Sequence, residues 1–158
     1  MIVRTCLCLI TRADGGQPEV LLALKKTGFG AGKWVGLGGH LEDGETAATA
    51  AAREVMEESG LLVSAAALEQ VAAITFRFPA RPGWDQATTV FTTAQFSGEP
   101  AESDEVAPRW FAQDALPFAG MWDDARYWLL QVLAGQPVDV TITFADDCAT
   151  VKDIDPPL

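Results

Sequence analysis

The sequence predicts an α/β fold in which a mixed β-sheet is flanked by helices, and three observations predict it. Short apolar runs of strand length recur along the chain, two longer stretches carry helical spacing with start and stop residues, and the two kinds interleave irregularly. The 158 residues suit one domain with its own core, so a single unit over 1–158 is expected.

Residues 2–11 and 19–25 read as two strands joined by the turn Ala13-Asp14-Gly15-Gly16. The stretch from Gly28 to Gly32 is a glycine-rich loop, and Trp34 to Leu41 a short glycine-broken strand. Thr46 to Ser59 is the clearest helix, alanine-rich, with Thr46 as N-cap and Gly60 just past its end. Residues 70–78 and 87–96 read as longer strands with Pro79 to Gly83 between them, and Val106 to Phe111 as another short one. Trp122 to Leu133 is the second helix, stopped by Gly135 and Pro137. Val138 to Phe144 and Ala149 to Ile154 close the chain as strands.

Composition excludes several classes. Hydrophobic residues are 49% and charged residues 21%, ordinary for a globular protein, and no apolar run approaches the roughly 20 residues that span a bilayer. The N-terminus lacks a signal-peptide layout, so no membrane partner and a cytoplasmic setting are expected. Cys6, Cys8 and Cys148 show neither a disulfide framework nor zinc spacing, and Cys6 and Cys8 share one strand face as core residues. A net charge of −11 makes a nucleic-acid polymer an unsuitable partner. The charge is uneven, however: residues 1–53 carry six basic and five acidic side chains, residues 54–158 five and seventeen. An anionic small molecule would meet the N-terminal third on better terms, provided that metal ions screen the carboxylates.

The segment Arg53-Glu54-Val55-Met56-Glu57-Glu58-Ser59-Gly60 places three carboxylates in one sector of a helix, at its C-terminal end. Like charges this close repel, the helix dipole opposes them further, and Arg53 offsets only part of this by pairing with Glu57. Charge pattern alone favours a solvated acidic helix end. A hard divalent cation taking oxygen ligands is the alternative, and it would remove the conflict.

The flanking residues decide between these readings. From Gly39 the chain runs Gly, five residues, Glu45, seven residues, Arg53-Glu54-Val55, one residue, Glu57-Glu58, one residue, Gly60-Leu61. This resembles the signature box of the Nudix hydrolase family at every fixed position, a highly specific match. The resemblance implies an α/β/α sandwich around a mixed sheet, and Mg²⁺ or Mn²⁺ held by the box. It makes Glu54, Glu57 and Glu58 metal ligands, with the Gly38 carbonyl as a further one. Glu45 and Arg53 brace the loop on the helix by a salt bridge, and Gly39 and Gly60 are structural. Either Glu54 or Glu105 serves as general base, and Glu105 is also a candidate ligand.

Further segments, from Leu24 to Trp34, Glu102-Ser-Asp-Glu105, Leu116-Pro-Phe118, Met121-Trp122 and Tyr127-Trp128, resemble the MutT-type oxidised-purine nucleoside triphosphatases of that family. The resemblance runs over most of residues 5–130. It implies hydrolysis of substrates such as 8-oxo-dGTP to the monophosphate and pyrophosphate, which cleanses the nucleotide pool. Thr5, Lys25, Phe29, Phe76, Trp122, Asp123 and Asp124 are the implied substrate-binding residues, with Trp122 stacking on the purine. Val35 stands where the relatives have an asparagine, Ala125 in place of a second acid and Gln86 near an apolar position. Ordinary (d)NTPs or another nucleoside diphosphate derivative are therefore the alternative substrates, and a non-catalytic nucleotide-binding domain the alternative class. Trp34, Trp110 and Trp128 are expected in the core, and His40 without a catalytic role. The assembly is expected to be a monomer or a homodimer.

Overall fold

The computed structural model describes residues 2–13 and 15–158. Strand β1 (Val3–Arg12) organises the sheet. On one side it runs parallel to β6 (Gln86–Thr93) from Val3↔Gln86 to Ile10↔Thr93. On the other it pairs at residues 10–12 with β2 (Glu19–Lys25), after which the two strands part. Residues 34–40 fill the wedge between them: β3 (Trp34–Val35) pairs with β2, and β4 (Leu37–His40) with β1. The single strand expected over 34–41 is thus two, because the segment changes partner at Gly36 as β1 and β2 diverge. A Cβ on Gly36 would sit 3.2 Å from Leu9 Cδ2.

Beyond β6 come β5 (Glu69–Arg77), β8 (Val138–Phe144) and β9 (Val151–Asp155), while β7 (Val106–Ala112) lies along the outer edge of β2. The sheet is mixed, since β1–β6 and β5–β8 are parallel and the other pairings antiparallel.

Side-chain alternation along these strands makes two cores. Cys6, Cys8 and Ile10 of β1 pack with Leu21, Ala51, Val55 and Leu61 against α1 (Ala47–Ser59). Leu9 packs with Leu22, Ile74, Val90, Leu129 and Ile142 on the opposite face, under α2 (Ala125–Leu133). The result is an α/β/α sandwich. Burial lifts the Cys6 and Cys8 thiols to about 11 and about 12, which keeps them protonated core residues.

Helix α1 forms as its sequence dictates. The Thr46 hydroxyl caps it by accepting from Thr49 N at 3.1 Å, and Gly60 ends it at φ 76° with its N–H on Met56 O. Helix α2 begins three residues later than expected, because Trp122, Asp123 and Asp124 form a turn whose side chains are engaged elsewhere. Strand β6 likewise stops at Thr93 rather than residue 96, where the Thr93 hydroxyl caps the turn by accepting from Gln95 N. Among the described residues, no helix is long and apolar enough to cross a membrane.

Candidate active site

The wedge between β1 and β2 brings the end of α1 to the sheet. Gly38 and Gly39 of β4 make this approach possible. A Cβ on Gly38 would lie 1.9 Å from Cys6 O, and one on Gly39 would lie 2.8 Å from the Glu54 carboxylate carbon. Gly38 thus lets β4 lie close against the β1 backbone, and the missing side chain of Gly39 leaves the space that the Glu54 carboxylate fills. Glu58 is 6% exposed, and its Oε1 accepts from Gly38 N at 2.9 Å.

Glu105 arrives from the loop before β7. Lys26 holds that loop: its N–H donates to Glu105 O at 2.8 Å, and its ammonium bonds Glu102 and Ser103 O. Carboxylate oxygens of Glu54, Glu58 and Glu105 all lie within 4.8 Å of one another. Burial lifts the Glu58 carboxyl to about 7, with Glu54 and Glu105 adding to the rise. Glu54 is raised by burial too, against the pull of Arg53. Three crowded oxygen donors, two of them reluctant to ionise unaided, form a donor set that fits a hard divalent cation.

Arg53 ties the assembly together. Its Nε and Nη2 grip Glu45 at 2.8 and 2.9 Å, Nη1 reaches Glu54 at 2.9 Å, and Nη2 donates to His40 O at 3.2 Å. The bidentate grip holds Glu45 down to about 2. Glu45 in turn accepts from Glu42 N at 2.9 Å. The expected brace between loop and helix is therefore present, and it also orients Glu54.

One cleft of about 810 Å³ runs from this cluster across the sheet to a group of aromatic rings. Phe29 stacks on Trp122 with centroids 5.0 Å apart and 23° between planes. Phe78 stacks on Phe144 at 4.6 Å, and Trp84 stands edge-on to Phe29 at 5.0 Å. A Cβ on Gly30 would meet Trp122 Nε1 at 3.0 Å, so the Gly28–Gly32 loop closes over the indole. Asp124 lines the cleft while 5% exposed, and its Oδ2 accepts from Trp128 Nε1 at 2.7 Å. Burial raises this carboxyl to about 6.

Of the residues singled out from the sequence, Thr5, Lys25, Phe29, Gly38, Gly39, Arg53, Glu54, Glu58, Phe76, Glu105, Trp122 and Asp124 line the one cleft. Two do not. Glu57 is exposed and lies beside Arg53 at 3.3 Å, because its position turns it outward from the face that buries Val55, Glu58 and Ser59. Asp123 accepts from Arg126 Nε and from Val151 N, both at 2.8 Å, and so fastens the β8–β9 hairpin rather than facing the cleft. Trp128 is buried as expected, with an edge on the cleft; Trp34, expected in the core, lines the cleft, and Val35 lines it as its match to a pocket position implies. Gln86, noted from the sequence near an apolar position of the relatives, lines the cleft, while Thr88, Phe78, Trp84 and Phe144 were not legible as site residues. For Thr88 a signal existed, since a threonine stands in the alternation that otherwise supplies core residues such as Val90.

The chain resembles known proteins throughout this region. It is 45% identical over 113 residues to the oxidized purine nucleoside triphosphate hydrolase of Mus musculus, covering 71% of this chain and 70% of that protein. The protein of the same description from Danio rerio is 47% identical over the same shares. Among solved structures, a MutT NUDIX hydrolase from Burkholderia pseudomallei has a TM-score of 0.64 at 31% identity, covering 74% of this chain and 88% of its own. A MutT protein from Bacillus halodurans has a TM-score of 0.79 at 22% identity, covering 99% and 100%, a likeness of fold. The model of the NUDIX domain matches residues 1–132, which contain the glutamate cluster, its arginine brace and most of the aromatic cleft, and the chain belongs to the Nudix family.

Proposed function

We propose that this chain hydrolyses oxidised purine nucleoside triphosphates such as 8-oxo-dGTP to the monophosphate and pyrophosphate. The observation that carries the reading is the cleft itself, with a cation-fitting carboxylate cluster at one end and stacked aromatic rings beside a buried acid at the other. The two curated relatives are named for oxidised purine nucleoside triphosphates, which supports the substrate class.

Glu54, Glu58 and Glu105, with the Gly38 carbonyl, would hold Mg²⁺ or Mn²⁺; Glu57 joins them only by leaving Arg53. The bound ion would polarise a phosphoryl oxygen and neutralise the leaving pyrophosphate. Glu105 is the better placed general base, because its carboxylate has no hydrogen-bond partner among the described residues, whereas Glu54 is engaged by Arg53. Lys25 lines the cleft near Glu58 and offers its ammonium to the phosphate chain. Trp122 lines the cleft and offers a stacking surface for the purine, with Phe29 packed on it, a contact worth about 1–3 kcal/mol per base. Buried, uncharged thiols at Cys6 and Cys8 suit a reducing cytoplasm, and the nine strands joined in one sheet support a single domain.

A second reading, hydrolysis of ordinary (d)NTPs, draws on Val35 and Ala125, cleft residues whose side chains cannot hydrogen-bond a base. A Mg²⁺ assay over 8-oxo-dGTP, dGTP and dATP separates the two. We expect kcat/KM for 8-oxo-dGTP to exceed that for dGTP, with monophosphate and pyrophosphate as products. Glu54→Gln and Glu58→Gln should each lower kcat by roughly 10²-fold or more. Equal values for the two guanine nucleotides would sink the oxidised-base reading, and an unimpaired Glu58→Gln would sink the metal site.

A further inference from the structure

The floor of the cleft carries a polar group that the reading above leaves unused. On the face of the sheet toward α2, β1 and β6 supply Leu9 and Val90 to the core. Toward the cleft the same alternation turns polar. Thr5 pairs with Thr88 and Val3 with Gln86 across the two strands, and Phe76 of β5 pairs with Gln86 from the other side. Thr5 and Thr88 are 8% and 5% exposed, positions where the pattern calls for apolar side chains.

Proton counting gives the group a direction. The Thr5 and Thr88 hydroxyl oxygens are 2.7 Å apart, so one donates to the other. Thr5 Oγ1 also lies 3.5 Å from Gln86 Oε1, which can only accept. Each hydroxyl has one proton. If Thr5 spends its proton on Gln86, Thr88 must donate to Thr5, and the chain runs Thr88 to Thr5 to Gln86 Oε1. This leaves the Gln86 Nε2 protons without a protein acceptor among the described residues, at the edge of the same cleft that Trp122 and Asp124 line.

We propose that Gln86 reads the base, donating its amide N–H to a carbonyl oxygen on the purine edge, and that Thr5 and Thr88 are positioning residues that fix the amide. The inference rests on the cleft being the purine site. It assigns the choice of base to β1 and β6 as well as to Asp124. An oxo-purine presents the acceptor that this donor requires, while adenine has no carbonyl.

Equilibrium binding of the product monophosphates 8-oxo-dGMP, dGMP and dAMP tests it without relying on turnover. Wild-type protein should bind 8-oxo-dGMP more tightly than dAMP. Gln86→Met should weaken 8-oxo-dGMP about tenfold, the loss of one hydrogen bond, and leave dAMP within twofold. Gln86→Glu, which exchanges the donor for an acceptor, should weaken 8-oxo-dGMP at least as much. Thr88→Val should give a smaller loss in the same direction, restored by Thr88→Ser. Hydrolysis should show the change in KM, with kcat and Mg²⁺ dependence unaltered. If Gln86→Met and Gln86→Glu, folded by thermal melting, keep the wild-type ratio among the three ligands, the proposal is wrong. It is equally wrong if wild-type protein binds none of them. Metal-dependent turnover in the panel above tests the hydrolase reading separately, and could succeed while Gln86 fails.

Discussion

Replacing Asp124 by asparagine should make the protein more stable and a poorer enzyme. The carboxyl is buried in the cleft wall with the Trp128 indole as its side-chain partner, and burial raises it from the ordinary 3.8 to about 6. Below about pH 3.8 the group is protonated in both folded and unfolded chains and contributes no difference. Between 3.8 and 6 the folded chain keeps a proton that the unfolded chain has lost, so stability falls as pH rises. Above about 6 the loss is complete and constant. A difference of this size corresponds to about 3 kcal/mol at 1.36 kcal/mol per pH unit. An asparagine at this position would never ionise, yet its side-chain oxygen can still accept from Trp128 Nε1.

Asp124→Asn should therefore gain up to about 3 kcal/mol over wild type at pH 8 and almost nothing at pH 4. For a chain of this length each kcal/mol moves the midpoint by roughly 2–4 °C. Thermal melts at several pH values between 4 and 8.5 read the gain directly. If Asp124 faces the purine, KM rises in the same variant. A variant that melts lower than wild type at pH 8, or a gain independent of pH, would refute the reasoning. Either result would mean that the carboxylate is solvated or paired more strongly than its burial and single indole partner allow.

Two further substitutions probe the frame around the carboxylates. Gly38→Ala places a Cβ 1.9 Å from Cys6 O, a backbone clash that only displacement of β4 relieves, and it should cost about 3 kcal/mol or more. Gly60→Ala meets no atom within 4 Å and strains only the left-handed φ of 76°, so roughly 1–2 kcal/mol is expected; melting temperatures that rank the two in the opposite order would contradict the packing described. Arg53→Lys keeps the charge but loses the two-pronged grip on Glu45 and the bond to His40 O, and should weaken the Mg²⁺ dependence of turnover by about 10–100-fold. Titration of activity against Mg²⁺ measures this, and an unchanged half-saturation would show that the brace does not orient Glu54.

Much of this was legible in the sequence because the relevant physics is local. Alanine content, the Thr46 cap and Gly60 specify α1 whatever surrounds it, and the box spacing then places Glu54 and Glu58 on known sides of that helix. The outward turn of Glu57 was not legible, since helix spacing groups it with its neighbours and only the burial of Val55 and Glu58 against the sheet tells the sides apart. The split at Gly36 depends on the angle at which β1 and β2 diverge, a property of the whole sheet. Asp123 and Asp124 are adjacent acids with opposite fates, one tied to Val151 and one buried on Trp128. The Asp124–Trp128 contact is a local one of four residues, but what draws Asp123 out of the cleft is a strand twenty-eight residues away, and no local pattern carries that.

The two ends of the cleft are built on different parts of the fold, and this has a consequence for how the protein can change. The carboxylates hang on α1, β4 and the loop before β7, held by Arg53, Gly38 and Lys26. The base end rests on β5, β6, β8 and the turn before α2, held by aromatic stacking and the Thr5–Thr88 pair. β1 joins them, giving Cys6 and Cys8 to one core and Thr5 and Leu9 to the face that bears the other. Substitutions at Gln86 or Ala125 can therefore alter which base is accepted without moving a carboxylate. Sites that share no hydrogen-bond partner should combine additively. A Glu58→Gln effect on kcat should accordingly be the same in wild-type and Gln86→Met backgrounds, and a strong departure would show that base and metal are read through one coupled network.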